Sequence, residues 1–118
     1  MSQNLGDFEQ LLLFAVLRLG DDAYGVRIRQ EIEARTARSV SSGAVYTGLD
    51  RLRTRGLVSS REGDATPVRG GRRKRYYRLE PEGAAALEGA WDDLRGMAEG
   101  VLFRLRELAA RVPSGGGA

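Results

Sequence analysis

The chain has 118 residues, 42% apolar and 30% charged, enough for one small core and a short extension. It contains no cysteine and no histidine, which excludes disulfide frameworks and thiolate zinc sites and removes the commonest general bases; no enzyme, metal site or cofactor is expected. The net charge of +3 conceals an asymmetry, because residues 51–78 hold ten Arg or Lys against Glu62 and Asp64, whereas residues 82–118 hold four Arg against six acidic side chains.

From Asp7 to Leu19 the sequence is rich in helix-forming apolar residues, with Phe8, Leu11, Leu12, Ala15 and Leu19 at helical spacing and Gly20 where a helix should stop. Asp21 and Asp22 supply turn and cap chemistry before a second, shorter helix over 23–36, in which Ile28 and Ile32 share a face while Arg27, Gln30, Glu31 and Arg38 point elsewhere. Residues 39–42 form a polar break. Ser41 or Ser42 then caps a third helix over 43–55, followed by Gly56 in the position just past a helix end.

The phase of the third helix is informative. At 100° per residue Val45, Leu49 and Leu52 face the core, while Gly43, Thr47, Asp50, Arg51 and Thr54 lie opposite and Tyr46 and Arg53 occupy one flank. A helix with small, hydroxyl and basic groups on its outer side can enter a major groove. The start of the helix, at Ser41, Ser42 and Gly43, would meet phosphate, and Thr47 and Arg51 would address base edges. Taken alone, the same pattern also fits an ordinary amphipathic helix with a solvated face.

After Gly56 the run 57–62 and the run RYYRL at 75–79 read as two strands, with Tyr77 and Leu79 on one side and Tyr76 and Arg78 on the other. Between them, GDATPVRGGRRK has the glycine, proline and aspartate content of a long hairpin loop. Three helices followed by a basic hairpin make a mainly α fold with a small β-hairpin, the winged helix-turn-helix, whose wing would lie along phosphate or a minor groove. The cations Arg72, Arg73, Lys74 and Arg75 belong to this wing. Tyr77 is expected in the core; the competing reading of the tyrosine pair is base stacking on single strands.

Three blocks, AYGV at 23–26, GAVYTGLDRLRTRGLV at 43–58 and RGGRRKRYYRLEPEG at 69–83, resemble in order and spacing those of the PadR family of bacterial winged-helix regulators. The resemblance covers the chain to about Gly83. It implies a homodimeric transcriptional regulator, usually a repressor, that binds an inverted-repeat operator and is released by a small molecule. It also implies that Tyr46 is the motif tyrosine of the recognition helix and that the helix after Pro81 dimerises. Many family members have proline after that tyrosine, where this chain has Thr47.

From Pro81 the residues Leu87, Trp91, Leu94, Ala98, Val101, Leu105, Leu108 and Val112 follow at alternating spacings of four and three, a heptad seam on one long helix over 81–112. A second copy would bury so long a stripe; the competing reading packs it on the chain's own first helix. Gly89, Gly96 and Gly100 lower helix propensity and predict a kink or a close helix approach. In a two-fold dimer Trp91 would meet its own copy, and the family resemblance implies that such an aromatic pair can hold a planar aromatic effector.

The expected organisation is a DNA-binding winged helix-turn-helix over 1–80, a dimerisation helix over 81–112 and a disordered tail over 113–118. The expected partners are double-stranded DNA and a second copy. A winged-helix interaction module binding an acidic protein is the alternative. No apolar run approaches the roughly 18 residues of a membrane span, and the N-terminus lacks signal-peptide character, so a cytoplasmic location is expected.

Overall fold

The computed structural model describes residues 4–63 and 74–113. Helix α1 (Asp7–Leu19) begins where the Glu9 carboxylate accepts the Gly6 N–H at 2.8 Å, and Asp7 and Glu9 stand in its positive first turn. Leu12, Leu13, Ala15 and Val16 are buried, and Phe8, Leu11 and Leu19 pack against the same cluster. A short 3₁₀ turn at Gly20–Asp22 follows.

The second helix is shorter than its sequence suggests. Helix α2 runs Gly25–Arg35, while Tyr24 stays extended at φ −123° and ψ 162°. Ala23 and Tyr24 are drawn off by the hairpin: the Ala23 carbonyl accepts the Tyr77 N–H at 2.8 Å, and Tyr24 bridges Tyr76. The bond from Tyr77 gives the buried strand residue's N–H a partner, and it holds Ala23 and Tyr24 extended against the hairpin instead of in the helix. Ile28 and Ile32 fill the core side of α2.

Helix α3 (Ser42–Thr54) is capped by Ser41, whose hydroxyl accepts the Ala44 N–H at 3.1 Å. At its far end Gly56 takes φ 77°, the Leu57 N–H donates to the Leu52 carbonyl at 2.9 Å and the Gly56 N–H to that of Arg53 at 3.0 Å. This Schellman arrangement needs glycine for its left-handed residue and turns Leu57 straight into the core. Strands β1 (Val58–Glu62) and β2 (Arg75–Leu79) then pair antiparallel, with Val58 opposite Leu79 and Ser60 opposite Tyr77. Val58 and Tyr77 are buried, as the alternation of RYYRL requires for Tyr77.

Helix α4 (Pro81–Ala98) places proline in its first turn and lays Gly83 directly on the chain entering β1, where an added Cβ would stand 2.1 Å from the Leu57 carbonyl oxygen. Ala86 and Leu87 join the core. The long helix over 81–112 is broken: Glu99 leaves the helical region, Gly100 takes φ 82°, and helix α5 (Leu102–Ala109) starts anew. Val112 lies beyond α5. The break falls at the last of the three glycines that weaken the helix, where a left-handed residue costs least. Of the expected tail, residues 114–118 lie outside the described residues. Among the described residues no helix is long and apolar enough to cross a membrane.

Candidate nucleic-acid interface

The face of α3 is as its period requires. Val45, Gly48, Leu49 and Leu52 are buried, while Ser42, Gly43, Tyr46, Thr47, Asp50, Arg51, Arg53 and Thr54 are exposed. Gly48 is buried because Leu12 of α1 lies across it; an added Cβ would meet the Leu12 Cδ1 at 2.4 Å. Close contact with α1 thus holds α3 against the body while its outer side stays free. Among the described residues a Cβ at Gly43 would meet no atom within 4 Å, so the start of the outer face is open for close approach.

Two of the flanking residues are less free. Arg53 donates to the Asp50 carboxylate at 2.7 Å, and that bond raises the pKa of its guanidinium. Tyr46 lays its ring over Gly25, where an added Cβ would come within 2.5 Å of the ring, so the AYGV glycine is the floor on which the motif tyrosine rests. Arg55, at the end of α3, is turned inward: it reaches the Glu9 carboxylate at 3.2 Å and the Asn4 carbonyl at 2.8 Å and ties α3 to the start of α1. Among the described residues Arg51 makes no ion pair and stands exposed.

At the base of the wing two tyrosine rings meet between two cations. The Lys74 ammonium sits 4.3 Å from the centre of the Tyr24 ring, Tyr24 meets Tyr76 edge-on at 5.4 Å, and the Arg61 guanidinium lies 4.7 Å from the centre of Tyr76. Each cation faces ring density, an attraction of about 0.5–1 kcal/mol at exposed sites. Arg75 is exposed at the start of β2. Arg72 and Arg73, expected beside them at the wing tip, lie outside the described residues. Burial pushes the Tyr77 phenol above its ordinary range, so it serves the core as a neutral group.

The seam residues divide into two groups. Leu87 is only 4% exposed and belongs to the chain's own core, beside α1, and Ala98 is half-buried. Trp91, Leu94, Val101, Leu105 and Leu108 are all exposed. The side chain of Leu87 is thus covered within its own chain, and the exposed part of the seam begins at Trp91. The indole of Trp91 meets Phe14 of α1 edge-on at 6.4 Å. Beside it lies an apolar cleft of about 420 Å³ lined by Phe14, Leu17, Leu79, Leu87 and Trp91.

Sequence reasoning missed Tyr24 and Arg61. Strand alternation could have set Arg61 across from Tyr76 once the register was known, because the two are direct partners. Tyr24 left no local signal, since a single bridge to a distant strand has no period.

The family model described as the transcriptional regulator PadR-like family matches residues 13–89. No curated protein sequence matches the chain. Among solved structures, a PadR family transcription regulator from hypervirulent Clostridium difficile R20291 is similar with a TM-score of 0.66 at 26% identity, over 83% of this chain and 98% of that one. A transcriptional regulator from Clostridium thermocellum shares the fold with a TM-score of 0.64 at 21% identity, covering 89% and 92% of the two chains. A PadR-like regulator from Bacillus cereus shares it with a TM-score of 0.63 at 21% identity, covering 83% and 89%. Winged-helix geometry and a family match over most of the folded core agree: the chain belongs to the PadR-like family of transcriptional regulators, DNA-binding proteins and not enzymes.

Proposed function

We propose that the protein is a homodimeric repressor that acts in the cytoplasm by occupying an inverted-repeat operator. The observation that carries this reading is the outer face of α3, where Ser42, Gly43, Thr47, Arg51 and Thr54 are exposed opposite a wholly apolar buried face. The α3 helix enters the major groove, about 12 Å wide in B-form DNA. Ser41, Ser42 and Gly43 lie against phosphate at the positive end of the helix, Thr47 and Arg51 address base edges, and Tyr46 and Arg53 contact the strand beside them. The wing cations Arg72, Arg73, Lys74 and Arg75 follow the neighbouring backbone.

Residues 1–80 act as the DNA-binding unit and 81–112 as the dimerising one. Exposed Trp91, Leu94, Val101, Leu105 and Leu108 support this division, because a second copy related by a two-fold axis removes the same residues of both chains from water. Such a dimer presents its two α3 helices to half-sites about 34–36 Å apart. Trp91 and the partner's Trp91 flank a planar aromatic effector; the half-exposed indole and the apolar cleft beside it support that role. The effector releases DNA when it binds the DNA-free geometry more tightly.

Selection of bound duplexes from a random pool by the purified protein tests the reading. A palindromic product is expected; no selected sequence, or a lone half-site bound by a monomer, would falsify it.

A further inference from the structure

The outer face of α3 carries one residue that a helix built only to attract DNA would not have. Asp50 is the sole acidic residue between Ser42 and Thr54, and it shares the centre of the exposed side with Gly43, Thr47 and Thr54. Its side chain is 65% exposed. One carboxylate oxygen accepts from Arg53 Nη2 at 2.7 Å, an i,i+3 pair along the helix. Phosphates line both sides of a groove, so an acid at this place repels every duplex unless something in the groove rewards it.

The major groove offers few groups that suit a carboxylate. Guanine and thymine present only acceptors or a methyl there. Adenine sets its N7 acceptor beside its N6 donor, so a carboxylate that takes the amino proton also faces a lone pair. Cytosine presents the N4 amino group with no acceptor of its own beside it. Arg53, bound to the same carboxylate, offsets part of its charge and fixes its orientation. Thr47 and Asp50 are three residues apart, about 4.5 Å along the helix axis, and the base step is about 3.4 Å. The two side chains therefore match neighbouring base pairs.

We propose that Asp50 is a specificity-determining residue, which accepts a hydrogen bond from the N4 amino group of one cytosine in each half-site while Arg53 holds its carboxylate in place. The proposal rests on the operator-binding reading above and deepens it. It assigns to Asp50 a cost in affinity for all DNA and a gain in discrimination at one base pair.

The test uses the full-length protein and its Asp50→Ala and Asp50→Asn variants, each selecting from a random duplex pool and then titrated on the selected site and on its single-base changes. The wild type prefers cytosine at one position of each half-site. In Asp50→Ala that preference falls by about 5- to 150-fold, the span of one good base contact, while binding to unrelated duplex strengthens. In Asp50→Asn the preference at the same position moves toward adenine, whose N6 and N7 suit an amide. Far-ultraviolet circular dichroism of both variants matches the wild type, since the side chain is largely in solvent. Three outcomes overturn the proposal alone: a selected palindrome without a cytosine preference under α3, an Asp50→Ala protein that keeps the preference, or an Asp50→Asn protein with no shift toward adenine. A wild type that selects no sequence overturns the operator-binding reading with it.

Discussion

The winged-helix part and the C-terminal arm use the same apolar residue types with opposite results. Leu12, Leu13, Ile28, Leu49, Leu52 and Leu57 are completely buried, whereas Met97 is 81% exposed and Phe103 79%. The difference lies in opposition of surfaces. Helix α1 is faced by α2, α3, α4 and β2, so its apolar residues on two sides find partners, while α5 has no buried residue. An amphipathic pattern specifies which side of a helix seeks cover, and only a second surface supplies the cover. In the first region that surface belongs to the same chain; in the second, on our proposal, it belongs to another copy.

The sharpest way to separate the two regions is to cut a cavity in the first. Leu49→Ala removes a fully buried side chain of α3 and should cost about 2–5 kcal/mol in urea unfolding followed by circular dichroism. Leu105→Ala should leave the same unfolding curve unchanged at protein concentrations where the chain is monomeric. A Leu49→Ala loss below about 1 kcal/mol would mean that the core relaxes around the gap.

Next in size is a charge placed on the arm. Leu105→Glu should raise the dimer dissociation constant by at least about a hundredfold, or about 3 kcal/mol, and sediment as a monomer with unchanged helix content. A dimer that survives this substitution would remove Leu105 from the interface and undo the contrast between the regions.

The joint between them gives a third test. Gly83→Ala places a methyl against the Leu57 carbonyl, and because the obstacle is backbone, α4 must shift away from β1. A loss of about 1–3 kcal/mol is expected, read as a lowered thermal midpoint. The same change at Gly89, where an added Cβ has open space, should not destabilise the protein and serves as the control.

The smallest effect is electrostatic and confined to the first region. Hydrogen bonding from Arg38 holds Asp7 below its ordinary 3.8, and hydrogen bonding from Arg35 and then Arg18 holds Glu31 below its ordinary 4.5. Folded values below the unfolded ones mean that the stabilisation is fully present above about pH 4.5 and lost as the pH falls through the folded values. Asp7 is exposed and Glu31 is half-buried at the surface, where solvent screens both pairs, so the effect is slight. Stability between pH 5 and pH 2 should fall less steeply in the Asp7→Asn, Glu31→Gln double variant than in the wild type, and equal slopes would show that these pairs contribute nothing.

Much of the fold was legible because its signals are local. Phe8, Leu12, Ala15 and Leu19 recur at helical spacing and Gly20 ends the run; Ser41 and Gly56 bracket α3; and the alternation in RYYRL turns Tyr77 inward. The outer face of α3 followed from the same period. The wing base did not, because Lys74 over Tyr24 and Arg61 over Tyr76 depend on three segments meeting. Gly100 was visible as a weak point, but its left-handed conformation was not, since a glycine tolerates a helix as well as a break.

The sequence by itself determined which residues seek the core, where α1 and α4 start and which stretch is basic, because periodicity, capping and charge are carried by neighbours in the chain. Only the tertiary structure decided that Ala23 and Tyr24 serve the sheet rather than α2 and that Gly25 lies beneath Tyr46. It also decided that Leu87 belongs to the inner core while Trp91, one turn later, does not. Those outcomes depend on which surfaces come to lie opposite one another, and opposition across space leaves no period in the chain.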